Sequence, residues 1–186
     1  MHSTGVDKWR MTPERHPIIG GGCHAVDLLR WLAGDPTEVT AYANHKMLPD
    51  WPIDDCVVAI MKFPNDVIGK VFTSIGCKRK YTMRTVIYGS EGTIICDNTS
   101  SEISLYRSNA KEESEGLKIT QGMELKIPVA IDSHNMTAEI KDFCEAILNN
   151  TPASPDGRQG LGTVAVCDAI VRSSKSGEKA FPAYEV

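Results

Sequence analysis

The sequence has no long hydrophobic run and no basic patch. No apolar stretch approaches the roughly 20 residues that a membrane-spanning helix needs, and the N-terminus lacks the apolar core of a signal peptide. The formal net charge over the 186 residues is −4, and the acidic residues are scattered along the chain. These absences argue against a membrane protein, a secreted protein and a nucleic-acid-binding protein. They favour a globular protein of the cytoplasm.

Cysteine motifs are missing as well. The six cysteines stand singly, without a Cys-x-x-Cys pair, and most of them lie inside apolar runs. We therefore expect small buried thiols in a reducing compartment and no disulfides. A zinc site would have to combine Cys23 and His24 with distant cysteines, and no metal site is predicted.

The chain also lacks the motifs that bind nucleotide cofactors. Gly20-Gly21-Gly22 does not have the G-x-G-x-x-G spacing, and it does not follow a strand of a βαβ unit. There is no Walker loop, no G-x-S-x-G and no H-E-x-x-H. We therefore expect no cofactor to bind to this chain alone.

What the sequence does contain is a short, strongly apolar helix behind the three glycines. Residues 1–19 have no periodicity and predict an extended lead-in segment, and Gly34-Asp35-Pro36 predicts the end of the helix. Apolar side chains cover nearly every side of this helix: Ala25, Val26, Leu28, Leu29, Trp31 and Leu32. The pattern predicts a helix that is buried almost all round.

Strands follow from residue 38. The alternation of apolar and polar residues predicts six strands, over 38–47, 55–63, 67–75, 82–88, 93–97 and 102–107, with one or two more within 117–129. Short turns such as Pro64-Asn65-Asp66 join neighbouring strands, which predicts antiparallel pairing. Strands 55–63 and 67–75 carry apolar residues on both faces. We expect helices to cover one face of the sheet, and most simply a second copy of the chain to cover the other.

Two helices are predicted after the strands. The first has one apolar stripe that is expected to be buried, formed by Met136, Ile140, Phe143 and Ile147. A loop over 152–160 separates it from the last helix, whose apolar stripe is Leu161, Val164, Cys167 and Val171. Together the elements predict a single α+β domain over residues 1–186, with a large, predominantly antiparallel sheet and helices packed on one face.

His24 is the best candidate for chemistry. It lies in the predicted first helical turn, where the glycines permit close approach of a ligand. A helix N-terminus also favours a neutral imidazole that can accept a proton. Asp27, three residues later, is on the same side and is a candidate to orient the ring or contact a substrate. Spacing alone favours the simpler alternative of a core histidine that is hydrogen-bonded to the backbone.

Several stretches along the chain match, in the same order, the motifs of a known protein family. They are Trp9-Arg10, the glycine run, His24-Ala-Val-Asp27-Leu-Leu-Arg-Trp-Leu-Ala-Gly34, Tyr88-Gly-Ser-Glu-Gly-Thr93, Asp97-Asn98 and Glu139-Ile-Lys-Asp-Phe143. They resemble the C-terminal domain of the Gfo/Idh/MocA family, the relatives of glucose–fructose oxidoreductase and inositol dehydrogenase. The resemblance covers nearly the whole chain, so it is more specific than any single motif.

The resemblance implies a catalytic role for His24 in an oxidoreductase that depends on NAD or NADP. In the family this histidine is the proton acceptor or donor beside a sugar, a polyol or a similar hydroxy compound. Trp9, Arg10, Lys80 and Tyr81 take positions near the substrate. The resemblance also implies a homodimer or homotetramer that forms through the free face of the sheet.

Two departures from the family pattern limit this interpretation. The family commonly places an aspartate four residues before the histidine, where this chain has Gly20. The N-terminal Rossmann domain, with its pyrophosphate-binding loop and its catalytic lysine, is also absent from the 186 residues. We therefore expect the isolated chain neither to bind NAD(P) tightly nor to turn over. One alternative is a stand-alone, non-catalytic binding or scaffolding protein derived from this domain. Another is a metal-dependent lyase or isomerase that uses His24 and Asp27, which needs more ligands than the sequence brings together.

Overall fold

The computed structural model describes residues 11–12, 14–107, 123–131 and 136–185. The chain divides into two compact units, residues 1–78 with 145–186 and residues 79–144. Trp9, Arg10 and most of the lead-in segment lie outside the described residues. Within the described residues, no helix combines the length and the apolar character that crossing a membrane requires.

The first unit contains a three-stranded antiparallel sheet of β1 (Glu38–Asn44), β2 (Cys56–Lys62) and β3 (Ile68–Ser74), in that order. Its helical parts are a π-helical turn (Ile18–Gly22), α1 (Cys23–Ala33) and α3 (Gly157–Ser176). Helix α2 (Thr137–Leu148) runs across the boundary between the units. A short turn at Pro64–Asp66 joins β2 to β3, as the sequence predicts.

Alternation along the three strands produces one buried face and one exposed face. The buried face carries Val39, Ala41, Val57, Ala59, Met61 and Val71. These residues form the core with Val166, Ala169 and Ile170 of α3. The small Ala41 and Ala59 lie directly opposite each other in the register. Helix α3 is also tied to the edge strand, because the Ala41 backbone N–H donates to Ser173 Oγ at 2.9 Å.

The other face of this sheet carries several apolar side chains that are exposed in the described structure. Its exposed large apolar side chains are Tyr42, Ile60, Ile68 and Phe72, and we refer to these four residues as the sheet-face patch. Tyr42 is opposite Val58, which in turn is opposite Phe72, so aromatic side chains flank a valine across the three strands. Apolar residues on both faces were predicted from the sequence. Coverage of the second face by a partner stays a prediction.

The second unit contains a four-stranded antiparallel sheet in the order β4-β5-β6-β7. Its strands are β4 (Arg84–Gly89), β5 (Gly92–Asp97), β6 (Glu102–Arg107) and β7 (Met123–Pro128). The prediction of an α+β fold with antiparallel strands is confirmed. The strands are divided between two sheets, and residues 75–83, which connect β3 to β4, form no strand.

Two of the three helices are less buried than the sequence predicts. Only Val26 of α1 is fully buried, whereas Trp31 is 80% exposed. The predicted stripe of α2 is exposed throughout, with Phe143 56% and Ile147 64% exposed. Periodicity identifies the apolar side of a helix but not whether a neighbour covers it, and in the described structure these side chains are exposed.

Helix α3 begins earlier than predicted, and its buried stripe differs in part from the predicted one. A capping box starts it: Asp156 Oδ1 accepts the backbone N–H groups of Arg158 and Gln159, both at 2.9 Å. The buried side is rich in small residues: Gly162, Thr163, Ala165, Val166, Cys167, Ala169, Ile170 and Ser173. Val164, which was expected inside, is exposed. Of the predicted stripe, Cys167 is buried and Val171 packs against the core, so the prediction was wrong for Val164. Small residues let the buried side of the helix lie close to the sheet.

The cysteines are also less buried than predicted. Cys167 is the single buried thiol of the six, while Cys77 and Cys144 are exposed. Burial raises the pKa of the Cys167 thiol to about 12, with a smaller contribution from the neighbouring Cys23. This thiol is therefore a packing residue without nucleophilic character.

Candidate functional site

The helical segment that carries His24 begins before the glycines. Pro17 and Gly22 both have helical backbone angles, and the π-helical turn runs directly into α1. Proline is favourable at such a start because its fixed φ suits a helix and its missing N–H is not needed there. His24 is therefore more than one turn inside the helical segment. His24 is in the first turn of α1, as predicted, but the π-helical turn precedes α1, so the residue at the start of the whole helical segment is His16.

The glycine run has a packing role in this structure. A Cβ atom at Gly22 would lie 2.5 Å from Thr73 Oγ1 on β3 and 2.7 Å from Ile18 Cδ1. Glycine is therefore required where the helical segment meets the sheet. In contrast, a Cβ atom at Gly21 would meet nothing within 4 Å. The glycines lie in a helical turn, so they do not form the loop that cradles a dinucleotide pyrophosphate.

His24 lies on the exposed side of α1. Among the described residues, no hydrogen bond or ion pair holds its imidazole ring. This arrangement is not that of a core histidine bonded to the backbone, which was the simpler alternative. The ring is free to meet a ligand on the outer face of the helix, and its catalytic role stays a prediction.

Asp27 does not contact His24 but is hydrogen-bonded to α3. The Thr163 hydroxyl donates to Asp27 Oδ1 at 2.5 Å and accepts from Arg30 Nη1 at 2.7 Å. Arg30 Nη1 also lies 3.8 Å from Asp27 Oδ1. Asp27 therefore helps to fix α1 against α3. Its side chain is still 64% exposed, so the predicted contact with a substrate is sterically possible and stays a prediction.

Arg30 is the main anchor between the two helices. Its side chain is 13% exposed and binds Asp35 Oδ1 through Nε at 2.8 Å and through Nη2 at 2.7 Å. Nη1 donates to the Gln159 carbonyl oxygen at 2.9 Å. The guanidinium lies on the backbone of Gly162, where a Cβ atom would be 2.0 Å from Nη2. Arg30 therefore acts together with Asp27 in holding α1, and with it His24, against α3, and its guanidinium needs a glycine opposite.

A cation lies one helical turn before His24, where the family has a carboxylate. Arg15 Nη2 donates to the Gly20 carbonyl oxygen at 2.8 Å. A Cβ atom at Gly20 would be 2.5 Å from Arg15 Nε. The guanidinium thus occupies the space that a side chain at position 20 would enter. No sequence pattern indicates this contact, because residue 15 lies in a segment without periodicity.

Lys80 and Tyr81 lie in the second unit, just before β4, and both are exposed. Asn98 holds this segment: its Oδ1 accepts the Met83 backbone N–H at 2.8 Å, and its Nδ2 donates to the Tyr81 carbonyl oxygen at 3.4 Å. The Asp97-Asn98 signature therefore has a local structural role. Substrate contacts by Lys80 and Tyr81 stay predictions.

Asp97 is the strongly perturbed acid of the second unit. Two hydrogen bonds from Thr99, together with the Arg84 guanidinium at 2.9 Å, lower the pKa of the Asp97 carboxyl to about 2. The carboxylate closes the turn after β5, so its perturbation is explained by structure and does not mark a catalytic acid.

Neither a metal site nor a deep pocket stands out as an alternative site among the described residues. No group of three or more histidine, cysteine or acidic side chains in the described part of the chain is arranged to hold a metal ion. A shallow depression of about 300 Å³ lies on the exposed face of the first sheet, lined by residues that include Glu38, Ile60, Lys62 and Ile68. This depression does not include His24.

Comparison with known proteins identifies the domain type. A family model described as the C-terminal alpha/beta domain of an oxidoreductase family, GFO_IDH_MocA_C, matches residues 7–181. Inositol 2-dehydrogenase from Acidothermus cellulolyticus is 26% identical over 157 residues, which are 82% of this chain and 42% of that protein. The enzyme of the same name from Rhizobium meliloti is 27% identical over 81% of this chain and 44% of its own length.

Solved structures share the fold at low sequence identity. An oxidoreductase from Agrobacterium radiobacter, in complex with NAD⁺, L-tartaric acid and magnesium, superposes with a TM-score of 0.75 at 17% identity, over 97% of this chain and 53% of that one. Levoglucosan dehydrogenase in complex with NADH gives a TM-score of 0.71 at 19% identity, over 88% of this chain and 49% of that one. The chain spans less than half the length of the inositol dehydrogenases it matches. With the family model covering almost all of its residues, this chain belongs to the Gfo/Idh/MocA family of oxidoreductase C-terminal alpha/beta domains.

Proposed function

We propose that this chain is the substrate-binding and oligomerisation domain of an oxidoreductase that depends on NAD or NADP and acts on a sugar, a polyol or a similar hydroxy compound. The observation that carries the proposal is His24, whose ring is exposed and unbonded on a helix that Arg30 fixes in place. An imidazole so presented can accept a proton from a substrate hydroxyl or return one to it. The relatives that support the substrate class are inositol and levoglucosan dehydrogenases.

The cofactor belongs, in this proposal, to a further domain of the enzyme. Relatives of this chain are bound to NADH or NAD⁺ in their solved structures, and those proteins are about twice as long as the matched region. The glycine run of this chain is helical and is used for packing. We therefore expect the isolated chain to bind no NAD(P) in a calorimetric titration and to show no turnover.

The test is to join the chain to a nucleotide-binding domain and to assay a panel of polyols, sugars and hydroxy acids for reduction of NAD⁺ and NADP⁺. Substrate-dependent reduction by the joined protein, absent from the nucleotide-binding domain alone, is the expected result. A joined protein that binds NAD⁺ or NADP⁺ normally but reduces neither with any member of the panel would contradict a catalytic function.

The second candidate is a non-catalytic binding or scaffolding protein derived from this domain. The Arg15 guanidinium beside Gly20, in the place of a carboxylate, is the observation that favours it. The genomic sequence upstream of Met1 distinguishes the two. An in-frame βαβ segment with a G-x-G-x-x-G motif supports the enzyme, and a ribosome-binding site directly before Met1 supports the binding protein.

The sheet-face patch supports the proposed oligomerisation. Two aromatic and two isoleucine side chains are exposed on one face of the same sheet, and exposed large apolar side chains grouped in this way are typical of a protein interface. Lys62 and Lys70 lie on the same face, opposite Ile68 and Ile60 respectively, and can form polar contacts among the apolar ones.

We predict that Phe72→Glu prevents self-association through this patch. A buried aromatic side chain at the centre of an interface commonly accounts for 2 kcal/mol or more of binding, so the dissociation constant should rise by about 30-fold or more. Sedimentation equilibrium measures the change against a single-chain mass of 20.4 kDa. Val164→Glu, which adds the same charge to an exposed position of α3, is the matched control. Equal association by both variants would show that the interface lies elsewhere.

A further inference from the structure

His16 begins the helical segment that carries His24, and its side chain takes part in the cap. The residue is buried, with 6% of its surface exposed. Its carbonyl oxygen accepts the backbone N–H groups of Ile19 and Gly20, both at 3.0 Å. Its ring atom Nδ1 accepts the backbone N–H of Ile18 at 3.3 Å. The imidazole therefore does what the side-chain oxygen of a serine or asparagine does at a helix N-cap, satisfying an N–H that has no partner within the helix.

This hydrogen bond determines which nitrogen carries the proton of the neutral ring. Because Nδ1 acts as an acceptor, the proton of the neutral ring is on Nε2. Nε2 is buried and has no hydrogen-bond partner in the structure. The nearest charged atom is Asp54 Oδ2 at 3.7 Å, beyond hydrogen-bonding distance but close enough for an ion pair. Neutral His16 thus accepts the Ile18 backbone N–H and leaves its own Nε2–H facing the Asp54 carboxylate.

Protonation would reverse this arrangement. A second proton on Nδ1 would face the Ile18 N–H donor to donor, so the capping hydrogen bond would be lost. The positive ring would at the same time gain attraction to Asp54 through Nε2. The two protonation states of one buried side chain therefore favour two different contacts, one with the helix and one with the segment before β2.

We propose that His16 is a pH-responsive cap that positions the helical segment carrying His24, holding Ile18 when the ring is neutral and releasing it towards Asp54 when the ring is protonated. His16 is a positioning residue with no part in the chemistry. The proposal goes beyond the proposed function and does not require the chain to be an enzyme.

The surrounding charges set the direction of the pH dependence. Burial lowers the pKa of His16 from its ordinary value, Lys175 of α3 lowers it further, and Asp54 opposes both. A histidine with a lowered pKa in the folded protein binds its proton more readily when unfolded. Its contribution to stability is therefore complete above the ordinary histidine pKa of about 6.5 and is lost as the pH falls through the lower, folded value.

Nuclear magnetic resonance of the complete chain tests the proposal without any activity. Between pH 8 and pH 4 we expect the His16 ring nitrogens to change from the Nε2–H tautomer to the doubly protonated form. The Ile18 amide signal should follow the same titration. Loss of an N-cap costs about 1 kcal/mol, so the hydrogen-exchange protection factors of Ile18, Ile19 and Gly20 should fall by about fivefold over the same range.

Variants separate a titrating cap from a merely structural residue. His16→Asn keeps a capping acceptor without a titratable group, so the protection of Ile18 should stay the same at both ends of the pH range. His16→Leu should lower this protection at every pH. In Asp54→Asn, the His16 titration should move to lower pH because the attraction that favours the charged ring is removed.

Three results would overturn the proposal. One is an Nδ1–H tautomer for His16 at pH 8, which is incompatible with acceptance from Ile18. Another is protection of Ile18 that stays constant down to pH 4 in the wild type. The last is the same acid-induced loss of protection in His16→Asn as in the wild type. If His16→Leu does not fold, His16→Asn and Asp54→Asn still decide the question.

Discussion

Replacement of His24 by alanine in the joined, active oxidoreductase is expected to lower kcat by about 10²–10⁴-fold, the usual contribution of a positioned acid or base. The substrate hydroxyl would lose the group that exchanges its proton. The folded structure should not change, because the ring is exposed and no hydrogen bond to the described residues holds it. Steady-state assays on the best substrate of the panel give the effect.

Two controls separate a catalytic role of His24 from an effect on stability. The thermal unfolding midpoint of His24→Ala should equal that of the wild type, which rules out a loss of fold as the cause. His45→Ala removes a histidine from a loop of the same unit, where Nε2 contacts the Leu48 carbonyl oxygen. This variant should keep kcat within about threefold of the wild type. Turnover of His24→Ala at the wild-type rate would remove the catalytic role from this residue.

Gly162→Ala is expected to destabilise the chain, although alanine is ordinarily the better residue in a helix. The new methyl group would lie 2.0 Å from Arg30 Nη2 and 2.6 Å from Cζ. The guanidinium has no simple way to move aside, since it is bound to Asp35, Gln159 and Thr163. We expect a loss of about 1–3 kcal/mol in the free energy of unfolding, the usual range for an overpacked site.

The same helix supplies a matched control. A Cβ atom at Gly160, half a turn earlier, would meet nothing within 4 Å. Gly160→Ala should therefore raise the free energy of unfolding by about 0.5–1 kcal/mol through helix propensity alone. Urea unfolding of both variants measures the difference. Equal effects of the two substitutions would show that Arg30 does not hold α1 against α3.

A double-mutant cycle tests whether the Arg30 guanidinium causes the destabilisation by Gly162→Ala. In an Arg30→Met background, Gly162→Ala should lower the free energy of unfolding much less, because the clashing guanidinium is gone. Arg30 and Gly162 therefore act as one device that fixes the helix of His24. Displacing α1 should also affect the presentation of His24, so Gly162→Ala is expected to lower the kcat of the joined enzyme more than Gly160→Ala does.

Local chemistry was sufficient to predict most of the elements from the sequence. The alternation in β1 to β3, the turn at Pro64–Asp66 and the end of α1 at Gly34 follow from side-chain periodicity and from backbone preferences. The strands were correct to within a few residues. The chain-long order of motifs was enough to recognise the family, since an ordered series of local signals constrains the fold more than any one of them.

The burial of these elements was decided by the tertiary structure. The stripe of α2 and Trp31 of α1 are as apolar as core residues and yet are exposed, because burial depends on what lies opposite and the sequence of one element does not contain that information. In α3 the small residues face the sheet, while the larger Val164 faces outward.

The same division holds at the candidate site. The sequence by itself determined that His24 lies on an apolar helix behind a glycine run, and that this helix ends at Gly34. Only the tertiary structure decided that the glycines are helical, that Asp27 binds Thr163 instead of His24, and that His16 caps the segment. Those contacts join residues far apart in the chain or depend on the exact start of a helix, and both are fixed by packing rather than by local preference.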